Sequence, residues 1–213
     1  MVAVTGHWVF QGHIAGFDTE SGLRAVVGIW AASPFGAFAD AMVELLSGQR
    51  LLLAPRPDIA DFIQTTYTFD DVVLEPVQAA LLANHGGGQL LTVQAGPLSI
   101  EARIGGPTRL GRFMALVPPA LAVHPWWLTL INPVAAVLSP GVRTAGMASQ
   151  GRREFYGVTA LNTINTASIA WKGCDAGQLA DISPGVRFGF SSVPATPALA
   201  TVQTTITGVH QRP

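Results

Sequence analysis

Hydrophobic and polar residues alternate along most of the first 105 residues, with the two-residue period of strands that bury one face. From His7 to Gly16, Trp8, Phe10 and Ile14 share one parity, and His7, Gln11 and His13 the other. Asp18 to Gly22 is turn chemistry, and Leu23 to Trp30 is apolar and aromatic enough for a return strand. After a turn at Ser33-Pro34-Phe35-Gly36, Phe38 to Leu45 and Arg50 to Ala54 read as a hairpin closed at Ser47-Gly48. Residues 58–66 predict one helix: Asp58 follows Pro57 as an N-cap, and Ile59, Phe62 and Ile63 share a helical face. Strands resume at Val72 to Ala80 and at Leu90 to Ala95, on either side of a glycine turn at Asn84 to Gly88. Leu98 to Ile104 carries the cleanest alternation, with Leu98, Ile100, Ala102 and Ile104 opposite Ser99, Glu101 and Arg103.

The period breaks from Phe113 to Pro140, a stretch with no Asp, Glu, Lys or Arg. It is long enough to span a bilayer. Pro118, Pro119, Pro125 and Pro133 leave no room for a continuous helix of even ten residues. Each interior proline removes a hydrogen bond, at about 3 kcal/mol in a helix. The freed carbonyls argue against a lipid-exposed span. Two readings stand. Short helical turns pack as core through Leu121, Trp126, Leu130 and Val134, or the segment is a lid over an apolar pocket that touches membrane. In the second, Trp126 and Trp127 beside His124 sit at its mouth, flanked by Arg109, Arg112 and Arg143. Strands are expected again at Arg143 to Ala148, Ala167 to Lys172, Val186 to Phe190 and Ala198 to Ile206.

This pattern predicts a mainly β chain: one domain over residues 1–213, an antiparallel β-barrel or bent sandwich, interrupted by the insertion at 113–140. Composition narrows the partners. Charged residues make up 12% of the chain against 49% hydrophobic ones, so some apolar surface needs a cover. A net charge of −1 without a basic run gives no footprint for nucleic acid. A single cysteine, Cys174, and an N-terminus without a secretory pattern lead to a cytoplasmic expectation.

Catalytic motifs are largely missing. No G-x-S-x-G, Walker A, G-x-G-x-x-G, H-E-x-x-H or C-x-x-C occurs, so no metal or cofactor is expected and no catalytic residue is assigned. His7 and His13 share a face but stand six residues apart, at about 3.3 Å each, too far for one metal. His13 is open to a role as ligand donor or acid. Asp40 and Glu44 share parity with Phe38 and Met42; Asp40 is an acid or base if that face lines a cavity, though water is the expected side. Gly151-Arg152-Arg153-Glu154-Phe155-Tyr156-Gly157 is the densest polar and aromatic cluster. It reads as a charged loop or as a site in which Arg153 and Tyr156 hold a ligand. Lys172 leads into a turn, which opposes a nucleophilic role.

Several phrases together resemble an uncharacterised family of high-GC actinobacteria. They are Ser33 to Asp40, Leu52-Leu53-Ala54-Pro55, Thr66-Tyr67-Thr68-Phe69-Asp70, Gly151 to Gly157 and Val186-Arg187-Phe188-Gly189-Phe190. The resemblance covers most of the chain and implies no catalytic residues. The aromatic strands around apolar loops are also loosely similar to lipocalin-like and acetoacetate-decarboxylase-like barrels; the latter implies a catalytic lysine in a context that Lys172 lacks.

The leading expectation is a barrel that binds a small apolar or amphipathic molecule, such as a lipid, isoprenoid or polyketide, with His13, Asp40, Trp126, Trp127, Arg153 and Tyr156 as ligand contacts. Alternatives are a cofactor-free isomerase, cyclase or decarboxylase using Asp40 or His13, and a non-catalytic homo-oligomeric assembly protein. Contact with a membrane surface and a homodimer both stay open.

Overall fold

A computed structural model describes residues 4–83, 88–148 and 151–210. Its strands are β1 (Val4–Thr19), β2 (Arg24–Ala32), β3 (Phe38–Glu44), β4 (Arg50–Ala54), β5 (Asp71–Leu74), β6 (Val77–Ala83), β7 (Gln89–Ala95), β8 (Leu98–Pro107), β9 (Ala145–Met147), β10 (Arg153–Trp171), β11 (Cys174–Asp175), β12 (Leu179–Ala180) and β13 (Ala198–His210). Helices are α1 (Pro57–Gln64), α2 (Arg109–Met114), α3 (Pro119–Ala122) and α4 (Pro125–Leu138). The strands form one curled sheet in the order β5-β4-β3-β2-β1-β13-β10-β8-β7-β6, with β9 and β11 on β10 and β12 on β1. The mainly β, half-barrel character agrees with the alternation in the sequence. Pairing is antiparallel except between β4 and β5, which run parallel because α1 carries the chain across.

The curl brings β6 against β3 and makes a first core from one parity of each strand. Phe17, Val27, Val43 and Leu53 from one half meet Leu91, Val93, Leu98 and Ile100 from the other, all buried. Glu101 and Arg103 face outward, as their parity requires. The other parity of β1, β2, β3, β10 and β13 faces a separate interior space.

The long strand β10 serves both regions because bulges change its twist and aim. In β10 the register shifts between Val158 and Ala160, between Asn162 and Ile164, and between Ile164 and Thr166. Past Asn162, Ile164 and Ile169 belong to the first core, whereas Glu154, Tyr156 and Val158 face the second space. β8 pairs with β10 only from Asn162 onward. Before that residue β10 would be an open edge. β9 covers residues 153–155, and α2, α3 and α4 pack alongside. The insertion thus closes the curl where strand pairing stops.

Several local expectations change. α1 begins at Pro57, with Arg56 at the N-cap; Asp58 lies inside the first turn, where it binds the Arg56 guanidinium instead of capping. α4 is a fourteen-residue helix, longer than the prolines suggested. Pro125 starts it, where no N–H is needed, and Pro133 lies inside, forgoing one bond to the Thr129 carbonyl. Asn132 offsets that loss by accepting hydrogen bonds from the backbone N–H of Thr144 (2.8 Å) and Ala145 (3.3 Å), which fastens α4 to β9. Of the residues expected as core in this segment, Trp126, Leu130 and Val134 are exposed. Leu128 and Ala122 are the buried ones.

Val186 to Phe190 is irregular chain, not strand; Val186 and Phe188 still pack with Ile182 against Met42 and Tyr67. Gly151 to Gly157 is no charged loop either, since β10 starts at Arg153. The expected turn at Asn84 to Gly88 lies, but for Gly88, outside the described residues.

Candidate functional site

The second interior space is a cavity of about 380 Å³. Its sheet wall alternates by strand parity: Ile14 on β1, Val26 and Gly28 on β2, Asp40 and Met42 on β3, Val158 on β10, and Val202 and Thr204 on β13. Phe62 and Ile63 of α1 close one side, Phe188 another, and Leu110 of α2 with Trp127 and Leu128 of α4 a third. Most of the wall is apolar, so the few polar groups in it carry unusual weight.

Glu154 is the most deeply placed of these, with 0% exposure. Strand parity dictates its direction, since Arg152, Glu154 and Tyr156 alternate with Arg153 and Phe155. The Tyr67 hydroxyl, from the turn after α1, donates to Glu154 Oε1 at 2.5 Å. The Tyr67 oxygen lies 2.7 Å from the Tyr156 hydroxyl; with its own proton on Glu154, Tyr67 accepts from Tyr156. Glu154 Oε2 has no partner among the described residues. Burial pushes the Glu154 carboxyl up to about 7, against the pull of the tyrosine hydrogen bonds. Burial and the neighbouring carboxylate hold both tyrosines well above their usual range. Thr204, cross-strand from Tyr156, adds a second buried oxygen without a partner among the described residues.

Asp40 is a second interior acid, 2% exposed, where water had been the expected side. Trp30 Nε1 donates to its Oδ1 at 2.9 Å. Burial pushes this carboxyl up to about 7, and the indole hydrogen bond opposes the shift. Gly28, opposite Asp40 across β2 and β3, makes the contact possible: a Cβ there would stand 2.6 Å from both Asp40 Oδ1 and Trp30 Nε1. Glu44, of the same parity, is also buried, but it is paired with Arg187 at 2.8 Å and Arg24 at 3.4 Å and does not line the cavity.

Asp40, Trp127 and Tyr156 therefore share the cavity wall, and three other candidates do not. His13 has the opposite parity from Ile14 and meets Thr201, its Nδ1 3.3 Å from the hydroxyl; burial lowers its pKa. Trp126 is exposed, edge-on to Trp127. Arg153 is exposed too, over the Phe155 ring and 3.3 Å from Thr129 Oγ1. Its neighbour Arg152 takes the inward place. That guanidinium lies between the Trp8 and Phe62 rings, 5.0 and 4.7 Å from their centroids, and donates to Thr66 Oγ1 at 3.0 Å. Sequence reasoning missed Glu154 and Tyr67. Shared parity of Glu154 with Tyr156 was an available signal for the first; nothing local pointed to Tyr67, which reaches the site from 87 residues away.

No helix among the described residues is long and apolar enough to cross a membrane. No family model matches the chain, and no curated protein matches it. Among solved structures, the chain is similar to a "putative AttH" from Nitrosomonas europaea at 11% identity and a TM-score of 0.30, over 97% of this chain and 52% of that one. The chain thus spans about half the length of that protein.

Proposed function

We propose that the protein binds a small apolar or amphipathic molecule, of the lipid, isoprenoid or polyketide class, in the cavity inside the curl. The observation that carries this reading is a roughly 380 Å³ apolar cavity whose wall holds two buried oxygens without partners, Glu154 Oε2 and Thr204 Oγ1. Such a volume falls within the ~300–1,000 Å³ of small-molecule sites. Leaving a buried polar group unpaired costs about 1–3 kcal/mol, and a ligand hydroxyl or carbonyl would recover it. A neutral Glu154 would donate to a ligand carbonyl from Oε2, and Trp127 would cover the apolar body. The lone exposed thiol, Cys174, fits a reducing cytoplasmic setting.

The test is native mass spectrometry of freshly purified protein, followed by titration with a fluorescent fatty acid. A co-purifying small molecule, or saturable binding lost in a cavity-filling Val202→Phe variant, is the expected result. A ligand-free spectrum with no binding of the probe would sink the reading.

A second reading has its own support. Asp40 and Glu154 both stand near pKa 7 in an apolar site, which suits general acid or base work on a bound isoprenoid or polyketide. Exchange of solvent deuterium into a bound ligand, lost in Asp40→Asn or Glu154→Gln, would support it. Unlabelled ligand would leave binding alone.

A further inference from the structure

We infer that the outer face of α2, α3 and α4 docks on an anionic lipid bilayer, with the cavity mouth turned toward the lipid. Apolar exposure is concentrated there. Among the described residues, seven of the eleven exposed large hydrophobic ones lie between Phe113 and Leu138. Leu116 is 79% exposed, Val137 81%, and Leu130 and Trp126 more than half. On an ordinary surface such residues are scattered singly.

Charge chooses the occupant. Residues 102–153 hold six arginines and no Asp or Glu, whereas the rest of the chain holds all thirteen acids against six basic residues. Arg109, Arg112, Arg143 and Arg153 are exposed beside the apolar face, and none forms an ion pair among the described residues. Apolar side chains ringed by arginines match the layering of a bilayer surface, with hydrocarbon below and anionic headgroups above. A second copy is a poor occupant, because two like-charged faces would oppose each other. Phe113, Val134 and Leu138 are exposed and also line the cavity, so the same face carries its entrance. Docking needs no ligand in the cavity and stands apart from the reading above.

The full chain would be sedimented with vesicles of phosphatidylcholine alone and of phosphatidylcholine with phosphatidylglycerol. Binding to the anionic vesicles, weakened by salt and accompanied by a blue shift of tryptophan emission, is expected. Arg109→Gln with Arg112→Gln should weaken it by about fivefold per arginine. Leu130→Asp with Val137→Asp should lower it roughly tenfold or more. Both pairs are exposed, and an unchanged circular dichroism spectrum and an unchanged urea midpoint would show that the fold persists. Equal binding to both vesicle types, or none, overturns the proposal. So does a homodimer that fails to bind vesicles and becomes monomeric on Leu130→Asp with Val137→Asp, which would make the face an interface between copies.

Discussion

Tyr67 donates a 2.5 Å hydrogen bond to Glu154, joining the turn after α1 to the start of β10 across 87 residues of chain. The bond fastens α1 over the cavity and fixes where the buried carboxyl points. Tyr67→Phe removes the 2.5 Å donor to Glu154 Oε1 and the oxygen that the Tyr156 hydroxyl meets. The expected cost is about 1–3 kcal/mol, read as a lower midpoint in urea unfolding. A midpoint equal to that of the unmodified protein would mean that the bond does not hold the fold.

Stability should fall as pH rises toward neutrality. Glu154 and Asp40 have ordinary values of 4.5 and 3.8 when unfolded, and about 7 when folded. Between those limits the folded state binds more protons, so rising pH favours unfolding. Well below pH 3.8 both groups are neutral in either state and the penalty is absent; it becomes complete only well above 7. Glu154→Gln and Asp40→Asn should each flatten the slope of unfolding free energy between pH 4 and 7. A slope unchanged in both variants would rule out these groups as its source.

Thr204→Val should raise the unfolding free energy of the free protein by about 1 kcal/mol, because it removes a buried hydroxyl without a partner and keeps the β-branched shape. The same change should weaken a ligand that uses this oxygen. Thermal denaturation and fatty-acid titration on one sample would separate the two effects; loss of stability would show that the hydroxyl is paired in solution.

Gly28→Ala tests the seat of Asp40. The added Cβ would enter within 2.6 Å of both partners of the Trp30–Asp40 hydrogen bond, so they must separate. A loss of about 1–3 kcal/mol is expected, with a change in Trp30 emission. Unaltered emission and stability would count against the contact.

How much of this was legible in the sequence depends on the kind of question. Alternation from Leu98 to Ile104 located a strand and its two faces, and the Phe38–Ala54 hairpin was readable from its turn. The break in period at 113–140 marked the helical insertion. These are local properties: a two-residue period and turn chemistry are written in neighbouring residues. Which face of β3 or β10 is interior is another matter. Parity grouped Asp40 with Met42 and Arg152 with Glu154, yet it could not say which group would be enclosed. That was decided by the curl of the sheet, by bulges that re-aim β10 past Val158, and by helices that cover its open edge. The sequence by itself determined strands, turns and the uncharged insertion. Only the tertiary structure decided that two carboxyls and two tyrosines share an apolar cavity, because burial depends on chain segments far apart in sequence.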